Sequence, residues 1–233
     1  MFDSIFDVVS LRMTTLSILT AIGGFWAVSR MLATYHFVHQ HFLHSSALDR
    51  YRARESESWA LVTGASDGIG KGFAFELCQR GFNVVLHGRN ETKLKSVRED
   101  LLRHGPDRGA RTLVIDAGRD AGNLEVLKAA ATQLEDISLT ILVNNVGGAG
   151  NAKPLIAPYQ HTYEDLNRAQ IDLNVRFQSE LTRLLLPQLI SNQPACVLNV
   201  GSASSDLSCC YLPVASGVKA YQKKRGRDLC VSR

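Results

Sequence analysis

Short apolar runs alternate with longer amphipathic stretches along the chain from residue 58 onward. Five runs have the length and composition of buried strands: SWALVT (58–63), FNVVLH (82–87), RTLVID (111–116), LTILVNN (139–145) and ACVLNVGS (195–202). Helical periodicity lies between them, through Cys78 and over 91–104, 124–135 and about 162–190. Because apolar strands joined by helices indicate a parallel sheet covered on both faces, the pattern predicts an α/β fold with a Rossmann-type, doubly wound parallel sheet.

A different pattern occupies the first fifty residues. Met13–Ser29 contains no charged residue and is predominantly apolar. A segment of this kind approaches the roughly 20 residues that cross a bilayer as a helix. We therefore predict a membrane anchor and juxtamembrane segment over residues 1–50, with membrane contact through 13–35. A cleaved signal peptide and a buried or interfacial helix are the alternatives, although Asp3 and Asp7 are unusual at the start of a signal peptide.

Charges on either side of the apolar segment predict its orientation. The basic residues that follow it are Arg30, Arg50, Arg52 and Arg54. Acidic residues offset Arg12 on the N-terminal side. Because positive charge favours the cytoplasmic side of a membrane helix, we expect the rest of the chain to face the cytosol from the endoplasmic reticulum or another endomembrane.

The overall composition argues against several other classes of function. The 233 residues carry a formal net charge of +4, and no basic stripe interleaved with aromatic residues is present, so nucleic-acid binding is not expected. The five cysteines form no CxxC pair, which argues against a disulfide framework or a structural zinc site. The histidines between positions 36 and 44 are irregularly spaced and lack interleaved carboxylates, so no metal site is predicted.

The first predicted strand leads into a glycine-rich turn, TGASDGIG, at 63–70. Glycines between a strand and a helix allow a tight turn and let a dinucleotide pyrophosphate approach the helix N-terminus. A lone glycine motif is weak evidence, because such turns also form for backbone reasons alone, but here a strand and a helix flank it. The predicted cofactor-binding residues of this segment are Gly64, Ser66, Asp67, Gly68, Ile69 and Gly70.

The end of the second strand indicates which dinucleotide the turn binds. An acidic residue at this point holds the ribose 2′-hydroxyl of NAD, whereas a 2′-phosphate requires positive charge. The chain has His87-Gly88-Arg89-Asn90 here, with no acid. Because Arg89 can pair with a phosphate that a carboxylate would repel, the sequence predicts NADPH as cofactor.

The TGxxxGxG spacing, followed by Asn144-Asn145-Val146-Gly147, resembles the short-chain dehydrogenase/reductase family. The resemblance implies that residues 51–233 form a dinucleotide-binding domain. It further implies that Asp116, at the end of the third strand, contacts adenine and that Asn144 lies beside the cofactor.

The resemblance also implies three catalytic residues, namely Asn174, Ser202 and Lys219. Lys219 would in addition bind the nicotinamide ribose of the cofactor. The family places a proton-donating tyrosine four residues before the lysine and commonly thirteen after the serine, and both spacings lead to Ala215. Loss of such a general acid costs roughly 10²- to 10⁴-fold in rate. Tyr211 and Tyr221 flank this position, but at spacings that do not fit a simple replacement.

The apolar N-terminus, TGASDGIGK and ILVNNVGG together resemble the membrane-bound very-long-chain 3-oxoacyl-CoA reductases and the related 17β-hydroxysteroid dehydrogenases. This resemblance implies NADPH-dependent reduction of a ketone on a small lipid-like substrate, and a homo-oligomer formed through the family's helix pair. The family continues well beyond the position of Tyr221, so we expect a C-terminally truncated, incomplete domain. Two hypotheses follow: a ketone reductase, or a non-catalytic NADP(H)-binding pseudoenzyme or truncated remnant.

Overall fold

A computed structural model describes residues 2–39, 47–52, 57–148, 158, 164–206 and 213–228. The chain divides into two compact units, Met1–Ala47 and Leu48–Arg233. Tyr211, the histidines at 41 and 44, and the chain after residue 228 lie outside the described residues.

The first unit is dominated by one long helix, α1, which spans Phe2–Val38. Its segment Leu16–Val38 is long and apolar enough to cross a membrane, by length and composition alone. The large apolar side chains of this segment are exposed, including Phe25 at 78% and Met31 at 72%. A helix that presents apolar side chains on all sides requires an apolar environment such as lipid or a protein interior. The helix extends past both ends of the predicted 13–35, and a signal sequence would share its length and composition.

The second unit contains a five-stranded parallel sheet in the order β3-β2-β1-β4-β5. The strands are β1 (Ser58–Thr63), β2 (Asn83–Gly88), β3 (Ala110–Val114), β4 (Ser138–Asn144) and β5 (Cys196–Asn199). The order reverses direction between β1 and β4, which is the arrangement of a doubly wound sheet and confirms the predicted Rossmann-type fold. Ligands of such sheets bind at this switch point, outside the carboxyl ends of the strands.

Helices cover both faces of the sheet. They are α2 (Gly68–Gln79), α3 (Glu91–His104), α4 (Leu124–Thr132), α5 (Glu164–Ile171), α6 (Phe177–Ser191) and α7 (Pro213–Asp228). A π-helical turn, Asp172–Arg176, joins α5 to α6, and short 3₁₀ turns lie at Ala47–Tyr51 and Ala203–Ser205. Leu61 and Phe177 belong to the buried cluster on one face, whereas Val62, Leu77 and Leu94 belong to the cluster on the other. Burial on both faces explains why the strands read as continuous apolar runs.

The C-terminal helix is not among the segments in which helical periodicity was found. Its composition is polar, with Gly226 inside it, yet α7 continues to Asp228. Gln222 on this helix is only 1% exposed. The helix packs through buried polar groups that hydrogen-bond to α6 and the π-helical turn, and apolar periodicity does not detect such packing.

Candidate cofactor cleft and active site

The glycine-rich turn between β1 and α2 depends on two left-handed backbone conformations. Gly64 has φ +67° and Gly68 has φ +55°, values that side-chain-bearing residues rarely adopt. Asp67 begins α2 as its N-cap, since its carboxylate accepts a hydrogen bond from the backbone N–H of Gly68 at 2.8 Å. Ile69, which follows, is 65% exposed. The turn therefore presents the N-terminus of α2, where unpaired N–H groups attract anions.

Gly70 allows the helix to approach the turn closely. A Cβ at this position would lie 2.2 Å from the carbonyl oxygen of Gly64 and 2.5 Å from Nδ2 of Asn145. Because the first of these atoms is backbone, a side chain at position 70 would displace the turn itself.

The hydroxyl of Thr63 ties the turn after β1 to the turn after β4. Its Oγ1 donates to the carbonyl of Val143 at 3.0 Å and accepts from the N–H groups of Asn145 at 2.9 Å and Val146 at 3.0 Å. The Asn145 side-chain amide donates to the carbonyls of Thr63 at 2.9 Å and Gly64 at 3.3 Å. These hydrogen bonds thus join the turns after β1 and β4, which flank the switch point, into one framework.

A cavity of about 250 Å³ opens at the carboxyl ends of the strands. The turns after β1, β2, β3 and β4 line it, together with Leu173 of the π-helical turn. Of the predicted cofactor-binding residues, Gly64, Ser66, Arg89 and Asp116 line this cavity. Asp67, Gly68, Ile69 and Gly70 do not line it, although they form the adjoining helix start.

Asp116, which lines the cavity, organises the turn after β3 through its carboxylate. Its Oδ1 accepts hydrogen bonds from the N–H groups of Gly118 at 3.0 Å and Arg119 at 3.3 Å. The backbone N–H of Asp116 donates in turn to the Asp120 carboxylate at 3.3 Å. The Arg119 guanidinium hydrogen-bonds to this carboxylate and lowers the pKa of Asp120. Arg89 is exposed and also lines the cavity, so both an acidic and a basic residue contribute to its lining.

His87 also lines the cavity, and sequence reasoning assigned it only to a strand. Its ring is 1% exposed and stacks on Phe177 with centroids 5.0 Å apart. Nδ1 lies 3.4 Å from the Gly64 N–H, while Nε2 makes no hydrogen bond within the described part of the chain. Burial lowers the pKa of His87 to about 4, so the imidazole is neutral at pH 7. The signal that could have found it is a histidine ending an otherwise apolar strand, FNVVLH.

Asn174 lies in the π-helical turn and holds the loop after β4. Its Nδ2 donates to the carbonyls of Gly148 at 2.7 Å and Gln170 at 2.8 Å, and its Oδ1 accepts from the Gly148 N–H at 3.1 Å. The side chain is buried, with 1% of the residue exposed. Single π-helical turns inside α-helices are frequent at functional sites.

Lys219 reaches the same loop from α7. Its Nζ donates to Oε1 of Gln222 at 2.9 Å and to the carbonyl of Val200 at 3.4 Å. Partial burial lowers the pKa of the Lys219 ammonium. A Cβ on Gly147 would lie 3.0 Å from this Nζ and 2.8 Å from Oδ1 of Asn174. The structure therefore brings Asn174 and Lys219 together against Gly147, which lines the cavity.

Ser202 and Ala215 occupy the remaining predicted positions. Ser202 is exposed, and its Oγ accepts from the N–H of Ser204 at 3.2 Å and from the Ser204 hydroxyl at 3.0 Å. No hydrogen bond joins it to Asn174 or Lys219 among the described residues. Ala215 is half-buried one turn before Lys219 on the same side of α7, as the family spacing requires.

Tyr221 does not replace the missing tyrosine in this geometry. Its hydroxyl hydrogen-bonds to Ser179 of α6 at 2.9 Å. Residues two positions apart on a helix point about 200° apart, so Tyr221 and Lys219 face nearly opposite sides of α7.

Asn144 is placed differently from the other predicted cofactor contacts. Its side chain is fully buried and donates to Oδ1 of Asn199 at 2.9 Å and to the hydroxyl of Thr182 at 3.1 Å. It does not line the cavity, and its neighbour Asn145 makes the bonds to the glycine turn. The observed contacts of Asn144 bind β4 to β5 and α6, and its predicted contact with a cofactor stays a prediction.

Comparison with known proteins places this geometry in a family. The family model for short chain dehydrogenases matches residues 58–220. A very-long-chain 3-oxoacyl-CoA reductase of Coccidioides immitis is 30% identical, over 93% of this chain and 60% of its own length. A reductase of the same description from Aspergillus clavatus is 33% identical, over 91% of this chain and 60% of its own length.

A solved structure supports the fold. The short-chain dehydrogenase of Sphingobium yanoikuyae, in complex with NADPH, has a TM-score of 0.64 and 23% identity, over 74% of this chain and 64% of that one. The chain spans about 60% of the length of the curated relatives named above. The match of the family model to the whole α/β unit as far as α7 settles the assignment: the chain belongs to the short-chain dehydrogenase family.

Proposed function

We propose that the chain binds NADPH at the switch point of its sheet and belongs to the oxidoreductases that reduce a ketone on a lipid-like substrate, a 3-oxoacyl-CoA or a steroid-like compound. The observation that carries this proposal is the meeting of Asn174 and Lys219 against Gly147, on the wall of a cavity that Arg89 and Asp116 also line. The substrate class rests on resemblance to the reductases of Coccidioides immitis and Aspergillus clavatus.

The cleft fits a dinucleotide in its chemistry. Gly64 and Gly70 allow the turn before α2 to pack tightly, and at Gly68 a Cβ would meet nothing within 4 Å, so the N-terminus of α2 is open to an anionic group such as a pyrophosphate. Arg89 would pair with a 2′-phosphate, and Asp116 would accept hydrogen bonds from adenine. At Gly147, a side chain would collide with Asn174 and Lys219, so the backbone itself forms the wall of the cleft there.

Bound NADPH would supply a hydride to the carbonyl carbon of a ketone. Lys219 would hold the ribose beside the nicotinamide, and its positive charge would favour negative charge developing nearby. The Ser202 hydroxyl would donate to the carbonyl oxygen, while Asn174 keeps the loop at Gly148 in place. The carbonyl oxygen also needs a proton, and the methyl group of Ala215 has none to give.

Ala215 favours a second candidate function, NADP(H) binding without turnover. Lys219 lies one helical turn away, and the hydroxyl of Tyr221 is held by Ser179 instead of facing the cleft. A binding protein of this kind would retain every group that contacts the cofactor and lack only the proton donor.

One experiment separates the two candidates. The full chain, purified in detergent, is titrated with NADPH and assayed for reduction of a 3-oxoacyl-CoA, beside Ala215→Tyr and Ala215→Phe. NADPH binding in all three with turnover in Ala215→Tyr alone indicates a cofactor-binding protein that lacks its acid. Turnover of the unaltered chain, not raised by the tyrosine, supports an active reductase with another proton source. If the folded chain fails to bind NADPH, both candidates are wrong.

We also propose that residues 1–50 anchor the chain in the endoplasmic reticulum or another endomembrane, with residues 51–233 as a domain on the cytosolic side. The support is the length and apolar character of Leu16–Val38 and the basic residues that follow it. Alkaline extraction of membranes should leave the chain in the pellet, and protease added outside sealed vesicles should digest the domain. Release into the supernatant would contradict the anchor. Assembly through the family's helix pair stays a prediction.

A further inference from the structure

One side of α7 carries polar side chains into the interior of the domain. Lys219 and Gln222 lie three residues apart on this side, less than one helical turn from each other. Gln222 is 1% exposed, and it lies two positions past the end of the family match. A buried carboxamide without partners is costly, because its desolvation is not compensated. Gln222 therefore needs hydrogen-bond partners within the domain.

Every polar atom of the Gln222 side chain has a partner. Its Oε1 accepts from Nζ of Lys219 at 2.9 Å, and its Nε2 donates to the carbonyl of Asn174 at 2.9 Å and to Oε1 of Gln178 at 3.1 Å. The orientation of the amide is fixed, because an ammonium group only donates hydrogen bonds and must therefore face the oxygen. Gln222 thus bridges Lys219 to the backbone of Asn174.

Gln178 of α6 continues the chain of hydrogen bonds to the cleft. It is fully buried, and its Nε2 donates to the carbonyl of Val146. All donors point the same way, from Lys219 through Gln222 and Gln178 to Val146, which lines the cavity. Reversing either amide would set donor against donor, so the network has one arrangement.

The network determines where the Lys219 ammonium lies. Lysine has a long, flexible stem, so its charged end takes its position from its partners. Within the described part of the chain, this ammonium has two acceptors, Oε1 of Gln222 and the carbonyl of Val200, and the second contact is the longer, at 3.4 Å. The ammonium lies 3.0 Å from the point where a Cβ of Gly147 would stand. Gln222 supplies the shorter of the two bonds that keep it there.

We propose that Gln222, oriented by Gln178, is a positioning residue that holds the Lys219 ammonium at the cofactor cleft. The proposal rests on the proposed function, in which Lys219 binds the cofactor. Under this proposal, Gln222 and Gln178 do more than pack α7 against α6.

A double-mutant cycle in the full chain tests this role. Gln222→Met removes the bridge and keeps a long side chain, Lys219→Met removes the ammonium, and NADPH affinity is measured for each and for the double variant. We expect Gln222→Met alone to weaken NADPH binding about tenfold. In the Lys219→Met background the same substitution should weaken binding by less than about twofold, because the effects of residues in contact are coupled. Tyr221→Phe, which changes the next residue on α7, is the matched control and should leave affinity unchanged.

A merely structural role predicts a different result. Gln222→Met would then lower the melting temperature and leave NADPH affinity unchanged, or weaken it by the same factor in both backgrounds, and either result overturns the proposal. If Gln222→Met does not fold, Gln178→Met takes its place in the cycle. Removing the second amide should weaken binding in the same direction by a smaller factor, and an unchanged affinity would count against the positioning role.

A second readout separates this proposal from the cofactor assignment. The rate at which acetic anhydride acylates Lys219, relative to the exposed Lys224 on the same helix, can be followed by mass spectrometry without any cofactor. Loss of the bridge in Gln222→Met should raise this ratio about fivefold or more. A raised ratio in a chain that does not bind NADPH would mean that the positioning is real and the proposed function wrong. An unchanged ratio would mean that Gln222 does not hold Lys219.

Discussion

The carbonyl oxygen of Gly64 lies only 2.2 Å from the point where a Cβ of Gly70 would stand. No side chain fits that separation, because the nearest atom belongs to the backbone and cannot move alone. The first turn of α2 is consequently packed directly on the turn that precedes it, and this contact sets the shape of the proposed pyrophosphate site.

Gly70→Ala should therefore damage both binding and stability. We expect at least a tenfold loss of NADPH affinity and a loss of about 1–3 kcal/mol in the free energy of unfolding, the usual cost of overpacking. Gly72→Ala is the matched control, since a Cβ at this exposed position of α2 meets nothing within 4 Å. It should raise stability by about 0.5–1 kcal/mol through helix propensity. Urea unfolding and NADPH titration measure both quantities, and equal behaviour of the two variants would contradict the close-approach argument.

His87 should make stability depend on pH. Its pKa is about 4 in the folded chain, below the ordinary value of 6.5, so the unfolded chain binds the proton more readily. The contribution of neutral His87 to the free energy of unfolding is fully present above pH 6.5 and is lost as the pH falls towards 4. At pH 5 the loss amounts to about 2 kcal/mol.

In His87→Leu, the fall in the free energy of unfolding between pH 7.5 and 5 should be smaller by about 2 kcal/mol. His104→Gln, which removes an exposed histidine of α3, is the matched control. Urea unfolding at several pH values provides the comparison. An equally steep slope in His87→Leu would show that the acid sensitivity has another origin.

Arg89→Glu should change the preference between cofactors. A carboxylate at the cavity wall would repel a 2′-phosphate and accept hydrogen bonds from a free 2′-hydroxyl. We expect NADPH affinity to fall about 100-fold, a loss of two charge-assisted contacts, while NADH affinity stays equal or rises. Lys95→Glu makes the same change of charge on α3, at a lysine paired with Glu91, and controls for long-range electrostatics. Equal losses of NADPH and NADH affinity in Arg89→Glu would show that Arg89 does not bind the 2′-phosphate.

Thr63→Val should loosen the framework between β1 and β4. The valine has a similar shape but leaves the N–H groups of Asn145 and Val146 without their shared acceptor. Buried donors without partners cost about 1–3 kcal/mol, so the free energy of unfolding should fall by at least that amount. Thr63→Ser retains the hydroxyl and should lose less than half as much. Amide hydrogen exchange at positions 145 and 146 should accelerate in the valine variant only.

The sequence predicted the parts of this molecule that follow from periodicity and spacing. The five predicted apolar runs are five parallel strands in the structure, and the family spacing identified Lys219, whose ammonium lies beside Gly147 at the cavity. Periodicity and spacing could not predict which of Asn144 and Asn145 contacts the glycine-rich turn. Neighbouring residues at the end of a strand point in different directions, and only the packing of β5 and α6 decides which of them meets the glycine turn.

The buried polar network lay beyond sequence reasoning for a related reason. Periodicity counts apolar residues, so a helix that is held by Gln222 and Gln178 reads as a solvated one. The two amides lie 44 residues apart in the sequence, and no local pattern indicates that they meet. His87 ends an otherwise apolar strand, and this local signal does not show that its ring is buried against Phe177.

The three hydrogen bonds of the Thr63 hydroxyl have a consequence for the thermodynamics of association. They join the two turns that flank the switch point within the folded chain itself. Conformational entropy of these turns is therefore lost when the chain folds and not when a ligand arrives. These two turns should therefore add little ordering penalty when the cofactor binds, so that their contribution to affinity depends on the contacts they make.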